Sequence, residues 1–222
     1  MATTAEVRRC TRLRGEPMRG RAAPERDSMS GTTNEGKEFM HYLSHYESPL
    51  GAMTMAGDGE HLTGLWFDGQ KYDRSTIDDD AVLQPRLPVF TQTAQWLDAY
   101  FEGADPGFTP PIRIEGSDFR KMVTSIMLSI PFGATSTYAR IAAEVARRTG
   151  RKQMSAQAVG GAVGRNPIVL IVPCHRVVGA NGSLRGYAGG VDRKERLLEM
   201  EGVNMAGLPT PPTADDGGGT RE

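Results

Sequence analysis

Residues 155–177 read SAQAVGGAVGRNPIVLIVPCHRV, and the other predicted elements are arranged around this stretch. Ser155 can cap a short helix built of small residues. The apolar run at 168–172 that follows is typical of a buried strand or a core segment. It leads directly into Pro-Cys-His-Arg-Val. The stretch therefore predicts a small-faced helix and a buried segment that ends at Cys174.

Helices are also predicted on both sides of this stretch. Ser117 can cap a helix whose apolar residues are spaced by three and four. The segment TSTYARIAAEVARRTG predicts a second helix, capped by Ser136 or Thr137. This helix and the small-faced one, joined by a brief turn, form a helix-turn-helix candidate, which is a weak signal alone. A Gly-rich loop and a charged helix from Val191 to Glu201 follow the cysteine.

The chain from Met40 has a different pattern. Short strands separated by Pro-Leu-Gly and Gly-Asp-Gly turns are predicted over HYLSHYESPLGAMTMAGDGEHLTGLWF. The acidic residues 76–86 predict a loop, residues 88–102 a helix, and FTPPIRI one more strand. This half is therefore expected to be a small α/β domain.

Charge divides the chain in the same way. Residues 40–115 carry 4 basic and 12 acidic groups, whereas residues 116–202 carry 13 basic and 6 acidic groups. A basic segment is typical of a protein with a polyanionic partner, although a solvated helical face is the alternative. We divide the chain into a disordered leader (1–39), an N-terminal domain (40–115), a DNA-binding domain (116–204) and a disordered tail (205–222). A leader that acts as a basic, DNA-contacting arm is the alternative.

Cysteine use and hydropathy exclude several classes of protein. The chain has two cysteines, Cys10 and Cys174, too few for a disulfide framework or a four-thiolate zinc site. Such sparse cysteine favours the cytoplasm, and no run of about 18 apolar residues predicts a membrane span. His41 and His45 are spaced for a metal pair only on a helix, and their segment alternates like a strand. We expect neither metal nor cofactor.

The residues after the apolar run suggest nucleophilic chemistry. A reactive cysteine needs a base or a cationic setting, which His175 and Arg176 offer. Neighbouring residues in an extended chain point in opposite directions, so His175 reaches the sulfur of Cys174 only if the chain turns there or through a water. Glu201 can orient the imidazole. The alternative is a buried structural thiol beside a core histidine.

Four stretches carry a family resemblance: IPFGATSTYARIA, AVGGAVGRNP, IVPCHRV and GSLRGYAGGVDRKERLLEMEG. Together they resemble the catalytic domain of the O6-alkylguanine-DNA alkyltransferases. Residues 40–115 resemble the family's N-terminal domain more loosely, through YESPLG and the strand-rich pattern. The resemblance implies an α+β fold, in which a small ribonuclease-H-like α/β domain precedes a mainly helical, winged-helix-like helix-turn-helix catalytic domain.

The resemblance also implies catalytic roles. Cys174 matches the acceptor thiol, and His175 matches the base that deprotonates it through a water. Glu201 falls where the family's carboxylate completes this relay. Asn166 matches the asparagine that ties the helix-turn-helix to the active-site segment.

Other matched positions imply contacts with the substrate. Tyr138 matches the tyrosine that contacts the flipped base, Lys194 the lysine near the leaving oxygen, and the carbonyl of Val177 the acceptor for the guanine amino group. Tyr187 and Gly189 match a lid over the guanine pocket. Further DNA contacts are expected from Gln157, Ala158, Gly160, Arg165 and Arg176. Gln157 departs from the family, which usually has an intercalating arginine there, and a glutamine lacks the charge and stacking plane of a guanidinium.

The implied function is direct repair of duplex DNA that carries O6-alkylguanine, with O4-alkylthymine as a second substrate. The target base would be turned out of the stack. Because nothing regenerates the alkylated cysteine, the expected enzyme is a single-turnover methyltransferase. We also expect it to be a monomer. Three alternatives stay open: a cysteine hydrolase or acyltransferase, a non-catalytic lesion-binding protein of alkyltransferase-like type, and a sequence-specific regulator.

Overall fold

The computed structural model describes residues 40–77 and 80–208. The sheet half has three antiparallel strands, β1 (Tyr42–Ser48), β2 (Gly51–Gly57) and β3 (Leu62–Phe67). A two-residue strand, β4 (Val82–Leu83), pairs parallel with β1, so the spatial order is β3-β2-β1-β4. The short strands predicted over HYLSHYESPLGAMTMAGDGEHLTGLWF are therefore confirmed.

Two details of this half differ from the prediction. The predicted loop at 76–86 contains β4, which backbone hydrogen bonds to β1 hold in place without an alternating apolar pattern. The predicted strand in FTPPIRI is reduced to one bridge between Ile112 and Leu62. Two consecutive prolines precede Ile112, and proline has no N–H with which to extend a ladder.

Helix α1 (Pro88–Phe101) covers the sheet, as predicted for residues 88–102. Pro88 stands in the first turn, where its missing N–H costs nothing. The buried side chains recur every three or four residues and include Trp96 and Tyr100. This stripe faces the strands, so α1 packs through an apolar face, as an amphipathic helix does.

The other half is mainly helical. Its helices are α2 (Asp118–Leu128), α3 (Tyr138–Thr149), α4 (Ala156–Val163) and α5 (Val191–Met200). The side chains of Ser117, Thr137 and Ser155 accept hydrogen bonds from the backbone at the starts of α2, α3 and α4, so these predicted caps are confirmed. Two short parallel strands that were not predicted, β5 (Ser136–Thr137) and β6 (Val177–Val178), pair beside the helices.

The apolar run at 168–172 is a core segment and not a strand. It begins with one bridge to β3, because Leu65 donates to the carbonyl of Pro167 and accepts from the N–H of Val169. The chain then turns back, and Leu170 takes a left-handed conformation with φ of 68°. Both halves contribute to one cluster of buried apolar side chains, which includes this run.

Two predictions concern the ends of the chain and membrane-spanning helices. The predicted leader, with Cys10, lies outside the described residues, as does the tail beyond residue 208. A 3-10 turn at Met205–Gly207 falls within the segment predicted to be disordered. No helix in the described part of the chain is long and apolar enough to cross a membrane.

Candidate active site

Cys174 lies inside the helical half on a single 3-10 turn, Cys174–Arg176. Only 3% of its surface is exposed. The turn is closed by a hydrogen bond from the N–H of Arg176 to the carbonyl of Pro173. The chain thus bends at the cysteine, which is the condition that allows His175 to lie on the same side as the sulfur.

Asn166 connects α4 to this turn. Its amide nitrogen lies 3.1 Å from the sulfur of Cys174, 2.8 Å from the carbonyl oxygen of Val172 and 3.1 Å from that of Ile168. Its amide oxygen accepts from the N–H of Ile168. Asn166 lies three positions after Val163, the last residue of α4, so its side chain holds the end of that helix, the core segment and the thiol together.

His175 and Glu201 form a buried pair. Nε2 of His175 lies 2.7 Å from Oε1 of Glu201, and neither side chain is exposed. Burial opposes ionisation of Glu201, but the hydrogen bonds and charges of His175 and Arg176 outweigh it and lower its pKa to about 2. A carboxylate can only accept, so Nε2 carries the proton. Nδ1 is the free acceptor, and it has no hydrogen-bond partner among the described residues.

Arg176 holds the carboxylate from the other side. Its Nε and Nη2 donate to the two oxygens of Glu201 at 2.8 and 3.0 Å, and Nη1 donates to the carbonyl of Ile130 at 2.7 Å. The residue is only 8% exposed. The structure does not support the expected DNA contact of Arg176, because the guanidinium is committed to these internal partners.

The resting site is uncharged at the two reacting groups. Burial raises the pKa of the Cys174 thiol, although the hydrogen bond from Asn166 and the charge of Lys194 oppose this effect. Burial also lowers the pKa of His175, and Glu201 opposes that shift. Both shifts favour the neutral forms of these groups, a thiol and an imidazole.

Lys194 and Val177 meet in the free protein. Lys194 is completely buried on α5, and its ammonium donates to the carbonyl oxygen of Val177. Burial lowers the pKa of this lysine to about 8. The two groups expected to contact guanine thus satisfy each other, and the second lone pair of the carbonyl stays available for another donor.

Two tyrosines lie near the sulfur. Tyr187 is buried, its hydroxyl has no partner among the described residues, and its pKa is raised by burial and by the repulsion that a Cys174 thiolate would exert. Burial and Cys174 raise the pKa of Tyr138 at the start of α3 in the same way. A Cβ atom at Gly189 would stand 2.7 Å from the ring of Tyr187, so the ring needs a glycine there. The predicted lid residues therefore do lie against the site.

Helix α4, the small-faced helix of the helix-turn-helix candidate, presents its small residues outward. Gln157 and Ala158 are exposed, whereas Val159 is buried. Gly160 faces the ring of Tyr138. Arg165 is exposed at the end of the helix, with its guanidinium 5.6 Å from the ring centre of Tyr72.

A cleft of about 300 Å³ runs beside this helix. It is lined by Tyr72 of the sheet half, Gly160 and Arg165 of the helical half, and Tyr187 of the lid. Of the residues predicted to contact DNA, Gly160, Arg165 and Tyr187 line this cleft.

Sequence analysis missed one member of the site, Tyr100. Its hydroxyl lies 2.8 Å from Oε1 of Glu201 and 3.3 Å from Nε2 of His175. It lies in α1, outside the half that was expected to be catalytic. A tyrosine in the apolar stripe of a helix gives no signal beyond a core position. The described residues contain no group of three or more His, Cys, Asp or Glu side chains that could hold a metal ion.

Comparison with known families divides the chain as the fold does. Residues 41–114 match the family described as 6-O-methylguanine DNA methyltransferase, ribonuclease-like domain. Residues 118–203 match 6-O-methylguanine DNA methyltransferase, DNA binding domain. With the observed sheet and helical halves, these matches confirm the predicted α+β fold and the predicted family.

Individual relatives are similar over most of their length. The methylated-DNA–protein-cysteine methyltransferase of Mycobacterium tuberculosis (strain H37Rv) is 40% identical over 163 residues, 73% of this chain and 93% of the relative. The protein of that name from Methanosarcina acetivorans is 42% identical over 162 residues, 72% of this chain and 98% of the relative.

Solved structures agree. The crystal structure of Mycobacterium tuberculosis O6-methylguanine methyltransferase has a TM-score of 0.63 at 40% identity, covering 73% of this chain and 93% of that one. The Mycobacterium tuberculosis protein OGT in complex with DNA has a TM-score of 0.62 at 39% identity, covering 72% and 92%.

Proposed function

Because the chain belongs to the 6-O-methylguanine DNA methyltransferase family, we propose that it repairs DNA by moving the alkyl group of O6-alkylguanine onto Cys174. One observation carries the assignment of the acceptor. The sulfur of Cys174 accepts a hydrogen bond from Asn166 and is followed on the same turn by His175, whose Nε2 is held by Glu201 and whose Nδ1 is free. This arrangement can stabilise a thiolate and receive its proton.

The transfer is a single displacement. The sulfur of Cys174 forms a bond to the alkyl carbon as the bond from that carbon to guanine O6 breaks, and the electron pair of the broken bond stays on the guanine. The thiol proton passes through a water to Nδ1 of His175. The ammonium of Lys194 stabilises the negative charge on the leaving oxygen, and the carbonyl of Val177 holds the guanine amino group.

DNA reaches this buried sulfur only if the base leaves the stack. A base turned out of the helix costs a few kcal/mol, and less when a lesion pairs badly. We propose that the exposed face of α4, with Gln157, Ala158 and Gly160, lies against the duplex, and that Tyr138 and Tyr187 enclose the base. Arg165 supplies phosphate attraction that salt weakens.

The thioether formed on Cys174 leaves the protein without a free acceptor thiol at this site. No described group near Cys174 is placed to receive the alkyl group in turn, so each molecule acts once. We also propose that the protein accepts O4-alkylthymine, works as a monomer and acts in the cytoplasm, where thiols stay reduced.

The decisive experiment is intact-mass spectrometry after mixing with a duplex that contains one O6-methylguanine, followed by peptide mapping. The expected result is one added methyl group, on the Cys174 peptide alone. Cys174→Ser should gain no mass, and Cys10→Ser should gain one methyl group. A methyl group on Cys10, no transfer by folded reduced protein, or repeated turnover on an ester with no mass gain would overturn the assignment.

A further inference from the structure

The sheet half sends one side chain into the reacting site of the helical half. Tyr100, at the end of α1, is 1% exposed. Its ring stacks on Trp96 with 5.2 Å between the ring centres, and the edge of Phe132 packs against it at 6.1 Å. These contacts fix the ring, and the hydroxyl therefore has a fixed position.

That hydroxyl shares an oxygen with the histidine. Oε1 of Glu201 accepts from Tyr100 at 2.8 Å, from Nε2 of His175 at 2.7 Å and from Arg176 at 3.0 Å. Oε2 accepts from Arg176 and from the N–H of Gly133. The oxygen that orients the imidazole is thus held by a group from the other half of the protein.

We propose that Tyr100 is a positioning residue for alkyl transfer: its hydroxyl fixes the Glu201 oxygen that orients His175, which makes the sheet half part of the proton relay. The inference rests on the proposed function, because it concerns the same thiol and the same base.

The chemistry of the three groups supports this role. Burial and the neighbouring charge of Glu201 raise the pKa of Tyr100 far above its usual range, so the phenol stays protonated and donates. Its oxygen lies 3.3 Å from Nε2 of His175, so it offers a second acceptor to the same N–H. An imidazole whose Nε2 faces two oxygens keeps Nδ1 directed to the other side. A ring free to rotate would not hold Nδ1 in one direction for the thiol proton.

Core packing is the competing explanation for a tyrosine at this position. The ring contacts would be kept by phenylalanine, so Tyr100→Phe removes the hydroxyl alone. Tyr46→Phe is a matched control, because the Tyr46 hydroxyl also donates to a carboxylate on α1, that of Asp98, at 2.8 Å and outside the relay.

The test measures the single-turnover rate of methyl transfer from an O6-methylguanine duplex across a range of pH, in a Cys10→Ser background. Tyr100→Phe should slow transfer about tenfold, as expected for the loss of one hydrogen bond to a charged group. The acid limb of its pH profile should move to higher pH, because a Glu201 carboxylate with one donor fewer makes His175 easier to protonate. Tyr46→Phe should match the parent.

A double variant separates positioning from packing. If the hydroxyl acts through Glu201, Tyr100→Phe should cause no further loss in a Glu201→Gln background. An equal loss in both backgrounds would overturn the proposal, as would a Tyr100→Phe rate within about twofold of the parent with an unchanged pH profile.

A second readout does not depend on DNA. Iodoacetamide reacts with the thiolate, so its rate of reaction with Cys174 against pH reports proton removal directly. The Tyr100→Phe protein should react more slowly near neutral pH, because a misaligned imidazole takes up the thiol proton less readily even though solvent protonates it more easily. An unchanged rate would overturn the proposal. If the parent takes no methyl group, the proposed function fails while the iodoacetamide series still tests Tyr100.

Discussion

The amide nitrogen of Asn166 lies 3.1 Å from the sulfur of Cys174. The same side chain bonds the backbone of Val172 and Ile168. One residue can therefore stabilise the negative charge that the proposed transfer requires on the sulfur, and it also holds the segment that carries the sulfur. Loss of its amide should affect chemistry and folding together.

Replacement of this amide is the first prediction. Asn166→Ala should lower the free energy of unfolding by about 1–3 kcal/mol, because buried backbone groups lose their partners. It should also raise the pKa of Cys174 further and slow methyl transfer. Denaturant unfolding and single-turnover kinetics measure the two effects. Asn181→Ala, which removes a bond in an exposed loop, is the control, and equal behaviour of the two variants would contradict the assignment.

The buried histidine predicts a dependence of stability on pH. Burial lowers the pKa of His175 in the folded protein from an ordinary value of 6.5. Below that value the unfolded chain binds a proton that the folded chain does not. The free energy of unfolding should therefore fall as pH drops below about 6.5, by at most about 1.4 kcal/mol per pH unit for this group.

Urea unfolding between about pH 7 and pH 5 measures this slope. His175→Gln should reduce the slope, whereas His45→Gln, on an exposed face of β1, should leave it as it is. A slope unaffected by His175→Gln would show that other groups cause it. Glu201 acts in a different window: its pKa is lowered to about 2, so its contribution is present above its ordinary value of 4.5 and is lost as pH falls towards 2.

The ion pair between Arg176 and Glu201 predicts a large loss of stability when Arg176 is replaced. Arg176→Met leaves a buried carboxylate without its cation, which costs about 3–5 kcal/mol. Arg147→Met removes an exposed pair with Glu144 and should leave unfolding nearly unchanged. Addition of Glu201→Gln to Arg176→Met should restore part of the loss, since the uncompensated charge is then gone. No recovery would mean that Arg176 stabilises the protein through packing alone.

Gln157 predicts a gain of function. The side chain is exposed on α4, where Gln157→Arg would supply a charged, planar group for the gap left by a flipped base. Transfer from duplex DNA should become faster, on the order of fivefold, with a smaller change on single strands. Gln153→Arg adds the same charge to the loop before α4 and controls for general attraction. Equal gains by both variants would exclude a specific role at position 157.

Gly161 predicts opposite effects on stability and on DNA binding. It is exposed on α4, and a Cβ there would meet only the end of Arg165 at 3.7 Å. Gly161→Ala should stabilise the helix by about 0.5–1 kcal/mol. Gly161→Leu should weaken duplex binding at fixed salt, because its side chain would hold the helix away from DNA. Gln95→Leu, at an exposed position of α1, is the control. Undiminished DNA binding by Gly161→Leu would mean that the duplex does not lie against this face of α4.

The local elements could be predicted from the residues that form them. Ser117, Thr137 and Ser155 mark the starts of three helices, because a hydroxyl that accepts a backbone N–H is a local interaction. The residues around Cys174 also identified the family, since the motif is short and specific. Neighbouring residues are sufficient for both inferences, and neither needs the path of the whole chain.

Which distant groups meet around Glu201 depends on the path of the whole chain. Tyr100 contacts Glu201 although 101 positions separate them, and its helical stripe looks like any core face. Arg176 was expected at DNA and instead binds Glu201 inside the protein. The apolar run at 168–172 turns back after one bridge because its own backbone groups pair with each other. Such contacts depend on how the two halves pack, and a periodic pattern along one element carries no information about its partner.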